Sequence, residues 1–179
     1  MSVSDEVLAQ AAAEGDGDAF AALLARNYDR LFRLCWRLTG AQAEAEDLTQ
    51  DICLALPVRL RRFDGRARFS TWLYRVAVNA AHDRRRRAAA HARAAEGWGE
   101  VEVARAAAAV EAAAAQDWLT QAMRRLPEAL RDTLALVLDD EMTQAEAAEV
   151  LGLSPGTVAW RMSEARRLLR DGAESEESP

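Results

Sequence analysis

The sequence predicts an all-α protein of two helical domains joined by a flexible linker, the second domain carrying a helix-turn-helix. Three observations lead there. Apolar residues recur at i, i+3 and i+4 in two separate stretches, the period of an amphipathic helix. The composition is alanine-rich, with 9 glycines and 4 prolines in 179 residues and few β-branched side chains, which favours helix throughout. Finally, two helix-start signals, Thr143 and Ser154, stand close together with Gly152 between them.

Composition divides the chain into an N-terminal segment (1–15), a first domain (16–87), an alanine-rich linker (88–116), a second domain (117–170) and an acidic tail (171–179). In the first domain Phe20, Leu23, Leu24 and Tyr28 share a helix face. Leu31, Leu34, Cys35 and Leu38 continue it to a stop at Thr39-Gly40. Leu48, Ile52, Leu56 and Leu60 repeat at strict i,i+4 spacing, and Pro57 is expected to bend or end that helix near Leu56. Asp64-Gly65 marks a turn, and Ser70 is a candidate cap for the helix "TWLYRVAVNAAHDRRRR". The linker has high helix propensity but almost no large apolar residues to dock it, so it is expected to be mobile. The tail's composition favours disorder.

In the second domain Thr143 and Glu146 form a capping box: the hydroxyl accepts from the N3 amide while the carboxylate reaches back. Gly152 suits the left-handed position that ends a helix. Ser154-Pro155 restarts the chain with a serine cap and a proline at N1, where a missing N–H costs nothing. Ala148 is small enough to let the helices cross closely. Leu153, Val158, Met162, Ala165 and Leu169 face inward, leaving Ala159, Trp160, Ser163, Glu164 and Arg167 outside. Such a second helix typically enters a DNA major groove.

The net charge of −6 disfavours a protein that grips nucleic acid unaided. It hides a segregation, however, with "RRRR" at 84–87 and "DGAESEESP" at 171–179. DNA contact must come from local basic faces or be delivered by a larger partner. No apolar run approaches the ~20 residues that span a bilayer, and the N-terminus lacks a signal peptide's basic flank and apolar stretch. No membrane insertion is expected. Cys35 and Cys53, without a CxxC or Cys/His cluster, read as reduced core residues of a cytoplasmic protein. His82 and His91 are isolated. Acid/base pairs, phosphate-cradling glycine loops and metal clusters are missing from the sequence, so neither catalysis nor a cofactor is expected.

Three stretches, "AEDLTQDICLAL" (45–56), "FDGRARFSTWLYRVAVNAAHDRRRR" (63–87) and "LPEALRDTLALVLDDEMTQAEAAEVLGLSPGTVAWRMSEARRLLR" (126–170), together resemble the extracytoplasmic-function sigma factors of bacterial RNA polymerase. They follow the family's order, with a linker where the family has one. The resemblance implies that core RNA polymerase, through its largest subunit's coiled coil, binds Glu46, Asp47, Gln50 and Asp51. These four residues share a polar surface opposite Leu48, Ile52 and Leu56. It also implies that the loop from Phe63 to Phe69 and the following helix read the non-template strand of the minus-ten element, through Arg66, Arg68, Phe69, Trp72, Asn79, Arg84 and Arg85. Rings for unstacked bases and cations for the backbone suit that task, a stacked base being worth ~1–3 kcal/mol. Trp72 and Tyr74 fit core packing and base stacking equally, and Phe63 fits the core better. The arginine run would serve equally as a solvated helix end.

For promoter DNA at the minus-thirty-five element, the resemblance implies Thr157, Trp160, Arg161, Ser163, Glu164, Arg166 and Arg167. Here the chain departs from the family's pattern. Ala159 and Trp160 stand where a basic residue and a serine are common, and Glu164 replaces a frequent arginine. An atypical upstream element, or weak binding assisted by tethering to polymerase, is the expected consequence. Trp160 can pack on a thymine methyl and Glu164 can accept from a cytosine amino group. The family is commonly controlled by an anti-sigma factor, a partner the resemblance implies here as well. Two other readings are a free-standing helix-turn-helix regulator, which would need a dimerisation seam, and a helical adaptor that binds only proteins.

Overall fold

In the computed structural model, residues 3–95, 118–138 and 142–177 are described; they form eight helices and no strand. Helix α1 (Asp5–Ala13) starts at Ser4, whose hydroxyl accepts from Val7 N–H at 3.4 Å. Helix α2 (Gly17–Thr39) starts at Asp16, which accepts from Ala19 N–H at 2.9 Å. It is one continuous helix, and it ends where expected: Gly40 takes the left-handed conformation (φ 74°). A Cβ at Gly40 would also run into the Arg124 side chain, so the position needs glycine for its backbone and for the close approach of the second domain.

Helix α3 (Gln42–Leu60) does not end near Leu56, one of the two outcomes expected of Pro57, which lies inside it. Proline removes one i→i−4 hydrogen bond, but only in the last turn. Leu56 and Leu60, 3% and 0% exposed, hold that turn against the core. Leu48 and Ile52 are buried on the same stripe, as their spacing predicts.

Helix α4 (Phe69–Ala95) begins one residue before the expected Ser70 cap and runs past Arg87. Its first amide is satisfied from a distance: Phe69 N–H donates to Glu6 Oε1 of α1 at 3.1 Å. That bond holds the Glu6 carboxyl below its ordinary range. α1 is thereby stitched to the start of α4, and Asn27 of α2 donates to Asp5 at 2.9 Å, so the N-terminal segment packs on the first domain. The expected linker, 88–116, is helical as far as Ala95. Its remainder, with the expectation of mobility, lies outside the described residues.

The second domain comprises α5 (Trp118–Arg125), α6 (Glu128–Val137), α7 (Gln144–Leu151) and α8 (Pro155–Glu177). α8 continues through the start of the tail expected to be disordered. Arg167 reaches Asp171 at 2.7 Å, an i,i+4 pair that carries the helix past Arg170. α6 is buried on nearly every side, at Leu130, Asp132, Thr133, Leu134, Ala135 and Leu136. It lies between α8 of its own domain and α2 of the first, and α7 lies against α4. One apolar cluster therefore runs from Leu34 and Leu38 through to Leu130 and Leu134.

Candidate nucleic-acid and polymerase interfaces

The helix-turn-helix forms as its caps predict. Thr143 accepts from Glu146 N–H at 3.2 Å, and Glu146 Oε2 accepts from Thr143 N–H at 2.8 Å. The donated backbone N–H, followed by the Thr143 hydroxyl and the nearby Arg68, holds the Glu146 carboxyl below its ordinary range. Gly152 is left-handed at φ 66°. Ser154 Oγ accepts from Thr157 N–H at 3.2 Å. Val158, Met162 and Ala165 are buried, with Ala148 beneath the crossing. Ala159, Trp160, Ser163, Arg166 and Arg167 are exposed on α8, Trp160 at 63%.

That outer face carries less free charge than its sequence suggests. Arg167 donates to both carboxylate oxygens of Glu164, at 2.7 and 3.0 Å, and to Asp171 at 2.7 Å. Glu164 is correspondingly held below the ordinary carboxylate range by the Arg167 hydrogen bonds. Arg161 turns back toward the carbonyl of Ala129 at 3.5 Å, and Thr157 is engaged with Ser154. Arg166 is the other cation of the expected set on this surface.

On α3, Glu46, Asp47, Gln50 and Asp51 are all exposed, as the helical spacing requires. Gln42 donates to Glu46 at 2.9 Å. Two apolar residues missed at the sequence level extend this face: Leu54 is 73% and Val58 is 65% exposed. Their sequence signal was their absence from the Leu48–Ile52–Leu56–Leu60 stripe. Arg84 of α4 bridges Asp47 and Asp51 at 3.1 and 3.5 Å. A groove of about 410 Å³ lies between the two helices, lined by Asp51, Ala55, Arg59 and Arg87 among others.

The loop before α4 presents Arg66, whose side chain is 90% exposed, and Arg68, 72% exposed. Asn79 is exposed and Trp72 half-buried. Phe69 is 1% exposed, its ring edge-on to Phe63 and tilted against Trp72, with centroids 5.8 Å apart in each case. Its face is therefore spent on packing and is not offered to a base. Phe63 and Tyr74 are buried too. Trp72 is the aromatic that keeps an accessible edge beside the loop arginines.

Arg85 is drawn away from solvent. It donates to both oxygens of Asp132 on α6, at 3.1 and 2.8 Å, and pairs with Glu128. His82 Nε2 lies 2.7 Å from the same Asp132, whose side chain is 3% exposed. His82 was unassigned at the sequence level; its partner is 50 residues away, and no local pattern marks it. His82, Glu128 and Asp132 bring ligand-type atoms within 4.8 Å of one another. The Arg85 guanidinium already pairs with both carboxylates, so the cluster carries its own cation. Burial pushes the Cys35 thiol up to about 11 and raises Cys53 in the same sense, which keeps both protonated and inert at neutral pH, in keeping with a packing role.

Comparison with known proteins gives this geometry a family. Residues 23–91 match the family model for sigma-70 region 2, and residues 116–169 match that for sigma-70 region 4. The chain is similar to the ECF RNA polymerase sigma factor SigW of Bacillus subtilis, 32% identical over 88% of this chain and 90% of the relative. It is also similar to SigM of Mycobacterium tuberculosis, 38% identical over 93% of this chain and 83% of the relative. Among solved structures, CnrH in complex with the cytosolic domain of CnrY superposes with a TM-score of 0.68 at 26% identity, covering 97% of this chain and 99% of that one. Among the described residues no helix is long and apolar enough to cross a membrane. The chain belongs to the extracytoplasmic-function sigma factors of bacterial RNA polymerase, which are transcription initiation factors and not enzymes.

Proposed function

We propose that this chain carries core RNA polymerase, in the cytoplasm, to promoters whose upstream element is atypical, and helps open the DNA there. The observation that carries the reading is the pairing of two exposed helical faces in one chain. One is the acidic and apolar α3 surface, Glu46, Asp47, Gln50, Asp51, Leu54 and Val58, which suits a polymerase coiled coil. The other is the outer face of α8, which suits a major groove. Leu54 and Val58 add the apolar anchor that charge alone would not supply to a stable protein contact.

Arg66, Arg68, Trp72 and Asn79, with Arg84 and Arg85 once released from their carboxylate partners, are proposed to hold the melted minus-ten strand. Phe69 supports that site from the core. Thr157, Trp160, Arg161, Ser163, Glu164, Arg166 and Arg167 are proposed for the minus-thirty-five element, with Trp160 and Arg166 most available. Because Glu164 neutralises Arg167, this module binds weakly alone, and tethering to polymerase supplies the missing affinity. An anti-sigma factor is the proposed inhibitor; the similar CnrH is held in a complex with the cytosolic domain of CnrY, so a protein partner on this fold has a precedent.

The test is transcription by core polymerase plus this chain on a library randomised at both promoter elements. Sequence-dependent transcripts with an upstream preference that changes in Trp160→Ser/Glu164→Arg support the proposal. Transcripts indifferent to the library, or an upstream preference unaltered by the variant, count against it.

A further inference from the structure

The loop between α3 and α4 carries Arg66 and Arg68, yet part of its shape is set by α1, far upstream in the chain. Phe63 and Phe69 anchor the two ends of the loop in the core, their rings edge-on at 5.8 Å. Between them Asp64 accepts from Arg66 N–H at 3.1 Å and Gly65 turns left-handed at φ 70°, which folds residues 64–68 back on themselves. Helix α1 meets this loop at two residues one helical turn apart. At the end of the loop, Phe69 N–H donates to Glu6 Oε1 at 3.1 Å, where the dipole of α4 also favours a carboxylate. At the turn, a Cβ on Gly65 would come within 3.3 Å of Gln10 Nε2, so the Gln10 amide lies against the backbone there. Trp72 N–H donates to the Arg68 carbonyl at 3.1 Å, so the bond that fixes Phe69 also sets the turn from which Arg68 and Trp72 project.

α1 is itself firmly held. Ala9 is fully buried. Asp5 accepts from Asn27 of α2 at 2.9 Å, and Asn27 is only 4% exposed. Arg26 pairs with Asp5 at 3.2 Å and donates to the Val3 carbonyl at 2.6 Å. The match to sigma-70 region 2 begins at residue 23, so this support lies outside the matched residues. A functional loop keeps its side chains in register only when its backbone is held by rigid elements around it.

We propose that Glu6 and Gln10 are positioning residues for promoter opening: they touch no DNA, and act by holding residues 64–68 and the first turn of α4 so that Arg66, Arg68 and Trp72 meet an unpaired minus-ten base and its phosphates together. A loosened loop has to be ordered again at each capture, and that entropy is subtracted from the binding. This inference rests on the proposed reading of the minus-ten face and gives α1 a part in it. Loss of the support is felt at the minus-ten element, and not at the polymerase or the upstream element, whose faces lie on α3 and α8.

The test uses the full chain assembled with core RNA polymerase, on the promoter that wild type selects best from the library randomised at both elements. Fluorescence of 2-aminopurine placed in the minus-ten element reads opening per polymerase-bound complex, and a repeated library selection reads base preference. The proposal expects Glu6→Ala/Gln10→Ala to open about fivefold less than wild type, the lower end of what one stacked base contributes. Preference at the minus-ten positions flattens, while upstream preference and polymerase affinity hold. Glu6→Gln keeps an oxygen that accepts from Phe69 N–H and stays close to wild type. Leu34→Ala, at a buried α2 position, lowers the unfolding midpoint without touching the loop and leaves the minus-ten preference intact. Undiminished opening or unflattened preference in the double variant, the same flattening in Leu34→Ala, or a Glu6→Gln as defective as the double variant overturns the proposal.

Should the double variant fail to fold by circular dichroism, Gln10→Ala alone, at an exposed position, is held to the same two readings. The minus-ten reading is tested separately with Arg66→Ala/Trp72→Ala. If that variant opens the promoter as wild type does, or wild type selects no promoter, the reading falls and the proposal with it. If it loses opening while the α1 variants keep theirs, the role of α1 falls alone.

Discussion

If α8 reads the upstream element as proposed, the Glu164–Arg167 pair acts as a brake on that binding, and its size can be worked out. Two of Arg167's donors, Nε and Nη2, are held by Glu164 at 3.0 and 2.7 Å, and Nη1 by Asp171 at 2.7 Å. Glu164→Gln removes the charge that holds Nε and Nη2, so Arg167 becomes able to take one phosphate. Each neutralised phosphate steepens the dependence of log K on log salt by about 0.9. Between about 50 and about 200 mM salt, one added contact costs a further ~3.5-fold in affinity. Glu164→Arg adds a second cation and brings the difference to ~12-fold over the same range. At fixed low salt both variants bind more tightly than wild type. The assay is binding of a duplex upstream element by the polymerase–sigma complex at four or five salt concentrations. Because Arg167 holds Glu164 below the ordinary carboxylate range, the pair is fully formed at neutral pH and the experiment needs no special buffer. Identical slopes for wild type, Gln and Arg would refute the reasoning, since Arg167 would then be free, or irrelevant, in the wild type.

Three further outcomes are expected. Leu60→Ala, at a fully buried position, should cost ~2–5 kcal/mol in urea unfolding, while Leu54→Ala, 73% exposed, should stay within about 0.5 kcal/mol of wild type yet weaken polymerase binding in a pull-down titration. Gly40→Ala should lose ~1 kcal/mol or more from its left-handed φ alone, with the displaced Arg124 adding to it, read as a lowered midpoint of thermal unfolding. Glu146→Ala should cost ~1 kcal/mol through the lost capping box. Since the folded-state pKa of Glu146 lies below its ordinary 4.5, its contribution is complete above that pH and disappears as pH falls through the depressed value. The gap between wild type and Glu146→Ala should therefore be constant near neutrality and narrow in acid.

Features written within one or two helical turns were legible in the sequence. The leucine stripe of α3 and the two caps around Gly152 depend on neighbours three or four residues apart, and both formed as spacing required. The exposed acidic face of α3 followed from the same stripe. What the sequence concealed is set by long-range partners. Glu6 caps α4 from 63 residues away, so the serine cap was not needed. Pro57 is tolerated because buried leucines on either side keep its turn closed. Phe69 looked like a base-stacking ring because aromatic residues near arginines carry no mark of which will be buried. His82, Arg85 and Asp132 meet only once the two domains pack. The neutralisation of Arg167 lay within reach, since Glu164 is three residues away and Asp171 four, a spacing that commonly pairs opposite charges.

Affinity of the purified full chain for core RNA polymerase, measured beside its affinity for promoter duplex alone, bears most directly on the whole account. The expected result is tight, saturable polymerase binding that Asp51→Lys/Leu54→Arg abolishes, with sequence-selective DNA binding appearing only in the assembled complex. Tight selective binding of duplex by the chain alone, with no affinity for polymerase, would contradict it.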